Sequence, residues 1–311
     1  MTARAGVRLK SDTWSDTGSG FVTARSLDEA LAALADGARP VAGGTDLVVG
    51  ARQGKAPLPK RLVAIHRLDE LRGIDETDGG LGLGALVTHA DLVAHLLVRE
   101  RYTAIADAAA IVGSHATRAQ GTLGGNLMNA SPAMETGGPL ACFDAKVTLR
   151  SATVERTVPV AELFRGPGKT VARDDELLVA VEIPARPERT GSAYVRLEYR
   201  RQMEIAVVGA TAVVSLEGDR IADARLAITA LAPTIRRVAD AEAALVETTG
   251  TDDDLTRTAK AVAAASLPIG DVRASEGYRR AMAEVIARRA IRIAIGRAKG
   301  DEIPVPASAA A

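Results

Sequence analysis

The stretch Ile111–Asp144 reads IVGSHATRAQGTLGGNLMNASPAMETGGPLACFD, and its glycines decide how the rest of the chain is read. Gly113, Gly121, Gly124, Gly125, Gly137 and Gly138 crowd a segment with little that could act as an acid, base or nucleophile. Glycine lets a backbone turn sharply and lets a ligand approach it closely. Among the glycines sit the small hydrogen-bonding residues Thr122, Asn126, Asn129 and Ser131, and a carboxylate, Glu135, follows them. Such a segment suits the gripping of a large polar cofactor by main-chain N–H groups, not chemistry by side chains. A second, smaller glycine turn lies upstream at Val41–Leu47, VAGGTDL. We read the two turns as the two sides of one dinucleotide site, with the dinucleotide carrying the reaction.

Working outward, residues 1–20 are polar and end in Gly18-Ser19-Gly20, the composition of a disordered lead-in. Ser26-Leu27-Asp28-Glu29 is a capping-box pattern that opens an amphipathic helix through Leu34, which Gly37 stops. Val41 is a short strand running into the smaller glycine turn. Leu62–Ile65 reads as a strand, and Ile74–Thr77 with Leu81–Gly84 as a hairpin about Asp78-Gly79-Gly80. Thr88 with Asp91 caps a helix through about Val98, and Tyr102–Val112 is another. Past the glycine stretch, Val147–Arg150 and Val154–Val158 form a second hairpin, and Leu177–Ile183 is an apolar strand ended by Pro184.

The composition changes at Pro184–Gly191, a domain boundary. Beyond it Ala193–Leu197, Val207–Leu216 and Ile221–Leu231 read as strands of one antiparallel sheet, the last two joined at Glu217-Gly218-Asp219. Helices are expected at about Thr234–Leu245, Asp252–Ala265 and Ser275–Arg297. In the last, Met282, Val285, Ile286, Arg289 and Ile293 fall at helical spacing, so its apolar residues are core. The units are therefore 21–184, divided at about 58/59, then 191–300, with a loose proline- and alanine-rich tail at 301–311.

Lysine plus arginine balances aspartate plus glutamate, 39 against 39, so no bulk charge points to nucleic acid or a membrane surface. Aromatic residues are only 3%, which argues further against base stacking. Cys142 is the only cysteine, and an iron–sulfur cluster needs about four thiolates. His66, His89, His95 and His115 show no zinc-ligand spacing and are read as surface or packing residues; no metal site is expected. No signal peptide and no run of about 18 apolar residues is present, which leads us to expect a cytoplasmic protein without a membrane span.

Neither glycine turn is a Rossmann fingerprint, which needs G-x-G-x-x-G after a strand and an acidic residue about 20 further on. Gly80, Gly82 and Gly84 alternate within a strand and mark close packing. Gly166-Pro167-Gly168-Lys169-Thr170 looks like a P-loop, but Leu163 stands where that motif needs glycine, and Pro167 removes an N–H.

With these motifs in place the chain resembles the FAD-binding (medium) subunit of the molybdenum hydroxylase family, the xanthine dehydrogenase and carbon monoxide dehydrogenase group. The likeness rests on Ala42–Leu47 and on Arg118-x-x-Gly-Thr-Leu-Gly-Gly-Asn with Asn129-Ala-Ser-Pro. It continues through Gly84-Ala85, Asp175-Glu176-Leu177-Leu178, Tyr194–Val207 and Tyr278-Arg279-Arg280, covering about residues 21–297 in order. It implies an α+β protein: a vanillyl-alcohol-oxidase-type FAD-binding fold of two α/β subdomains, then an antiparallel sheet with helices. By position, Ala42, Gly43, Gly44, Thr45, Asp46 and Leu47 would line one side of the FAD pyrophosphate. Thr122, Gly124, Gly125, Asn126, Asn129 and Ser131 would line the other. Glu135 falls where relatives hold the adenosine ribose, Leu178 where a leucine packs near the cofactor, and Arg196 where many relatives place a lysine by the isoalloxazine.

The chain departs from the family pattern at three positions. Glu135 and Glu204 replace usual aspartates, the latter read as a helical or loop salt bridge, and Arg196 replaces lysine. Some relatives carry an extra iron–sulfur loop, which a chain with Cys142 alone cannot. The implied function is electron transfer with no catalytic side chain: FAD here receives electrons from [2Fe-2S] clusters on an iron–sulfur subunit, fed by a molybdopterin-cofactor subunit. NAD, oxygen or a quinone would take them onward. The implied assembly is a dimer of heterotrimers. The alternative is a free-standing flavin-dependent oxidase or reductase of the same superfold.

Overall fold

The computed structural model describes residues 19–54, 56–77, 80–200 and 202–309. The lead-in at 1–18 and the hairpin tip Asp78-Gly79 lie outside the described residues.

The N-terminal unit runs β1 (Gly20–Thr23), α1 (Leu27–Ala35), β2 (Arg39–Val41), α2 (Thr45–Arg52) and β3 (Arg61–Ala64). Its strands form a parallel three-stranded sheet in the order β1-β3-β2. Ser26 caps α1 by accepting the Glu29 N–H at 3.2 Å. The reciprocal bond expected of a capping box goes one residue further out: Glu29 accepts the Arg25 N–H at 2.8 Å. Leu27, Leu31 and Leu34 bury the inner face of α1 against Val63 and Ile65.

The middle unit adds β4 (Ile74–Thr77), β5 (Gly80–Gly84), α3 (His89–Ala94), α4 (Leu96–Arg101) and α5 (Thr103–Ala110). The single helix expected from Thr88 to Val98 is two, because His95 turns extended (φ −74°, ψ 124°) between them. The glycine stretch folds as three short helices, α6 (His115–Gln120), α7 (Leu123–Asn129) and α8 (Gly137–Cys142). After it come β6 (Lys146–Arg150), β7 (Glu155–Pro159), α9 (Val160–Leu163), the small hairpin β8 (Phe164–Gly166) and β9 (Lys169–Thr170), and β10 (Leu177–Pro184). The P-loop look-alike is the turn of that hairpin, its Gly168 N–H bonded to the Ala130 carbonyl at 3.0 Å.

The sheet β4-β5-β10-β6-β7 is antiparallel, with β10 at its centre. A bulge between Leu178 and Ala180 lets this strand serve two cores. Leu178, Val181 and Ile183 join the middle core, whereas Leu177 and Val179 join the N-terminal one. The expected close packing of the β5 glycines holds at two of three positions. A β-carbon at Gly80 would come within 1.9 Å of the Ile183 carbonyl oxygen and one at Gly84 within 2.2 Å of that of Leu71, while Gly82 has ordinary room.

The C-terminal unit is an antiparallel sheet of β11 (Thr190–Leu197), β12 (Val208–Glu217), β13 (Arg220–Thr229) and β14 (Arg236–Arg237), with α10 (Ala239–Leu245), α11 (Asp252–Ala265) and α12 (Glu276–Lys299). α12 lies directly on β11 and β12, so close at Gly191 that a β-carbon there would meet the Ala294 carbonyl oxygen at 2.1 Å. The face that allows this is rich in alanine: Ala283, Ala287, Ala290 and Ala294 with Ile286 and Ile291. It is offset from the expected stripe, since Val285 is exposed and Met282 only half-buried.

The tail expected to be loose is docked as far as it is described. Ala307 is fully buried, and its N–H donates to Asp107 on α5 at 2.8 Å. No helix of the described residues is long and apolar enough to cross a membrane.

Candidate functional site

The two glycine turns, distant in sequence at Val41–Leu47 and Gly121–Gly125, meet edge to edge. A β-carbon on Gly43 would stand 1.9 Å from the carbonyl oxygen of Gln120, the last residue of α6. Only glycine lets these backbones touch there. One β-carbon further, at Gly121, would meet the Thr117 carbonyl oxygen at 3.0 Å, His89 Cδ2 at 3.3 Å and Thr45 Oγ1 at 3.5 Å. Gly44 takes the left-handed conformation (φ 68°) and starts α2 with no side-chain cap.

The second turn is stitched to the segment before α3. Gly124 N–H donates to the Ala85 carbonyl at 2.9 Å, Leu123 N–H to Val87 at 2.9 Å, and His89 N–H to Gly121 at 3.1 Å. Thr122 caps α7 by accepting the Gly125 N–H at 3.1 Å. The main-chain donors of Gly124 and Gly125, expected to point at a phosphate, are thus engaged within the fold. Gly124 is buried against Ala85, where a β-carbon would clash at 2.8 Å. Gly125 and Asn129 are exposed, and Asn126 and Ser131 half-buried, so this side of the site offers surface. Asn126 Oδ1 also accepts the Thr136 hydroxyl at 2.6 Å, fixing α7 to the start of α8.

On the first side Ala42, Gly43, Gly44, Thr45 and Leu47 are half-buried and Asp46 is exposed. Leu178 is buried in the middle core on β10, the strand against which α7 packs, and so supports the second turn from behind.

Glu135 and Arg196 were expected at opposite ends of an extended dinucleotide. They are instead in contact: Arg196 Nη1 lies 2.5 Å from Glu135 Oε1, and Arg196 also pairs with Glu198. The Arg196 side chain is fully buried and Nη1 donates to the Glu204 carbonyl at 3.3 Å. β11 carries Arg196 across the seam to Glu135 in the loop before α8, while Glu198, just past the end of β11, engages the same guanidinium. Burial pushes the Glu135 carboxyl up to about 7 against the pull of Arg196. Glu204 is a loop salt bridge, 3.3 Å from Arg200.

Two further residues take roles that the tertiary fold defines. Glu176, within the Asp175–Leu178 motif, accepts from Arg156 at 2.8 Å through both oxygens and from the Arg173 N–H at 2.8 Å, so part of that motif is structural. His89, expected as a surface or packing residue, is 2% exposed and packs beside Gly121. Its position inside the Thr88–Asp91 capping pattern places it at the start of α3.

Residues 16–186 match the family described as the FAD binding domain in molybdopterin dehydrogenase, and residues 193–294 match the CO dehydrogenase flavoprotein C-terminal domain. The chain is 30% identical over 276 residues to the carbon monoxide dehydrogenase medium chain of Hydrogenophaga pseudoflava, covering 88% of this chain and 96% of that one. It is 31% identical over 285 residues to the 6-hydroxypseudooxynicotine dehydrogenase complex subunit alpha of Paenarthrobacter nicotinovorans, covering 90% and 95%. Among solved structures, the carbon monoxide dehydrogenase of Hydrogenophaga pseudoflava superposes with a TM-score of 0.86 at 30% identity, over 90% of this chain and 98% of that one. Quinoline 2-oxidoreductase from Pseudomonas putida 86 gives 0.84 at 28%, with the same coverage. With both domains matched in order and two glycine turns in contact, the chain belongs to the FAD-binding medium-subunit family of the molybdenum hydroxylases.

Proposed function

We propose that this chain holds FAD between its two glycine turns and serves as the electron-transfer subunit of a multi-subunit molybdenum hydroxylase. It takes electrons from [2Fe-2S] clusters on one partner chain, which a molybdopterin centre on another supplies, and passes them to an external acceptor such as NAD, oxygen or a quinone. The observation that carries the reading is the edge contact of Gly43 with the Gln120 carbonyl, which brings together two turns distant in sequence.

The residues fit the cofactor. The uncapped first turn of α2 combines N–H donors with the positive end of a helix, which suits an anionic pyrophosphate. Across the contact, exposed Gly125 lets a ligand approach the backbone, and the Asn126, Asn129 and Ser131 side chains supply hydrogen-bonding groups. Phosphate recognition thus falls mainly to the α2 turn and ribose or ribityl hydroxyls to the second. Bound FAD supplies the redox chemistry. The chain's part is to bind it, orient it and keep it within reach of a docked partner.

The native form in this reading is a dimer of heterotrimers in the cytoplasm. The test is reconstitution. The chain expressed alone should take up one FAD, contain neither iron nor molybdenum, and fail to oxidise purines, aldehydes or N-heterocycles. Adding an iron–sulfur and molybdenum subcomplex should restore flavin bleaching by substrate. Turnover of an organic substrate by the metal-free chain alone, at enzyme-like rates, would establish the free-standing flavoenzyme instead.

A further inference from the structure

The imidazole of His89 stands beside Gly121, where a β-carbon would lie 3.3 Å from His89 Cδ2 and 3.5 Å from Thr45 Oγ1. It is 2% exposed, and its Nδ1 has no hydrogen-bond partner. A packing residue at this position has no need of a polar ring, because an unpaired buried nitrogen costs free energy that leucine or phenylalanine would avoid. Burial, then the nearby Arg118, brings its pKa down to about 4, so the ring is neutral near pH 7 and can accept a hydrogen bond. The backbone ties the residue to the second turn at two points: Thr88 bridges Thr122, and the His89 N–H bonds Gly121. Of the two ring edges, the Cδ2 edge faces Gly121, the glycine that Thr45 Oγ1 also approaches. A half-turn about Cβ–Cγ puts Nδ1 on that edge within the same envelope.

We propose that His89 is a cofactor-positioning residue, which in the FAD-bound chain accepts the Thr45 hydroxyl at Nδ1 and thereby locks the α2 turn to the Gly121 turn. The proposal rests on the FAD reading of these turns. Its consequence is specific: Thr45 is the first residue of α2, so fixing its hydroxyl fixes the direction in which the uncapped helix end meets the pyrophosphate.

The experiment measures FAD affinity of the purified full-length apo chain by flavin fluorescence, for wild type, His89→Phe, Thr45→Val and the double variant. His89→Phe keeps a buried ring and loses both nitrogens. Each single variant should raise the FAD Kd about tenfold, and the double should be no worse than either, because one hydrogen bond is lost in all three. A second readout uses wild type only. With 15N-labelled histidine, the Nδ1 resonance should move to that of a hydrogen-bonded acceptor when FAD is added. An unchanged Kd in His89→Phe, multiplying effects in the double variant, or an Nδ1 signal indifferent to FAD would each overturn the proposal. If wild type itself binds no FAD, the reading of the turns fails first, so the two failures are distinguishable.

Discussion

Arg196 binds two carboxylates at a buried seam, and this changes what its removal should do. A cation by the flavin ring would tune the potential and leave the fold alone. A guanidinium with no exposed side-chain surface, held between Glu135 and Glu198, is part of the structure. Truncating one partner of a buried pair leaves the other charge uncompensated, typically at about 3–5 kcal/mol. Arg196→Ala should therefore lower the unfolding free energy of the apo chain by about that much in chemical denaturation. A loss under about 1 kcal/mol would mean the pair is solvated. Glu135 adds a pH signature. Its carboxyl is raised from 4.5 to about 7 on folding, with burial as the cause. The folded state thus holds its proton more tightly than the unfolded one. The resulting stability is fully present below about pH 4.5 and is lost as pH rises through about 7. Glu135→Gln should flatten this slope, which amounts to about 3 kcal/mol across the window. Urea titrations at pH 5, 6, 7 and 8 for both chains would check it.

Among the elements, glycines that look alike in the sequence separate into two kinds. Gly43 and Gly124 face backbone at 1.9 Å and 2.8 Å, so a β-carbon at either must move a strand or a helix. Gly125 is exposed, and a β-carbon there meets only Thr122 Oγ1, at 2.9 Å. Gly43→Ala should cost stability and FAD together, whereas Gly125→Val should give a folded chain with much less FAD. Absorbance at the flavin band against the denaturation midpoint distinguishes the two; full flavin content in Gly125→Val would remove that residue from the site. The glycine density and the order of the turns were legible because both follow from backbone conformation, which local sequence controls. So were the caps at Ser26 and Thr88 and the strands of the C-terminal sheet. The touching of Gly43 and Gln120, the Arg196–Glu135 pair and the engagement of the Gly124 and Gly125 N–H groups were not, since each joins segments that only the tertiary fold brings together. The short helices of the glycine stretch were missed for a related reason: glycine disfavours helix, and here packing against Ala85 and β10 overrides it.

At the scale of the whole molecule, the cores do not respect the boundary at residues 184–191. Tyr194, Val213, Ala227 and Ile235 of the C-terminal unit are buried in the middle core. One fully buried carboxylate, Asp107 on α5, gathers the pieces. It pairs with Arg297 of α12 at 2.6 and 3.1 Å and accepts the N–H of Tyr194 on β11 at 3.2 Å and of Ala307 in the tail at 2.8 Å. Arg297 in turn donates to the Ser192 carbonyl at 2.7 Å and the Pro304 carbonyl at 3.0 Å. Four segments distant in sequence thus share one charge pair, which makes the C-terminal unit and the tail a clasp on the flavin domain. A chain built this way should unfold in one transition, because neither unit completes its core alone. Asp107→Ala leaves Arg297 buried without its partner and two N–H groups unbonded, so it should lower stability by about 3–5 kcal/mol. It should also free the tail for proteolysis at 301–309. Ending the chain at Gly300 removes the Ala307 donor, the Ile303 and Pro304 acceptors of Arg297 and the burial of Ala307, but spares the ion pair, so it should cost less. Calorimetry of the three chains would decide the point. If Asp107→Ala melted with the wild type, or if the truncated chain melted as low as Asp107→Ala, the carboxylate would not be what joins the units.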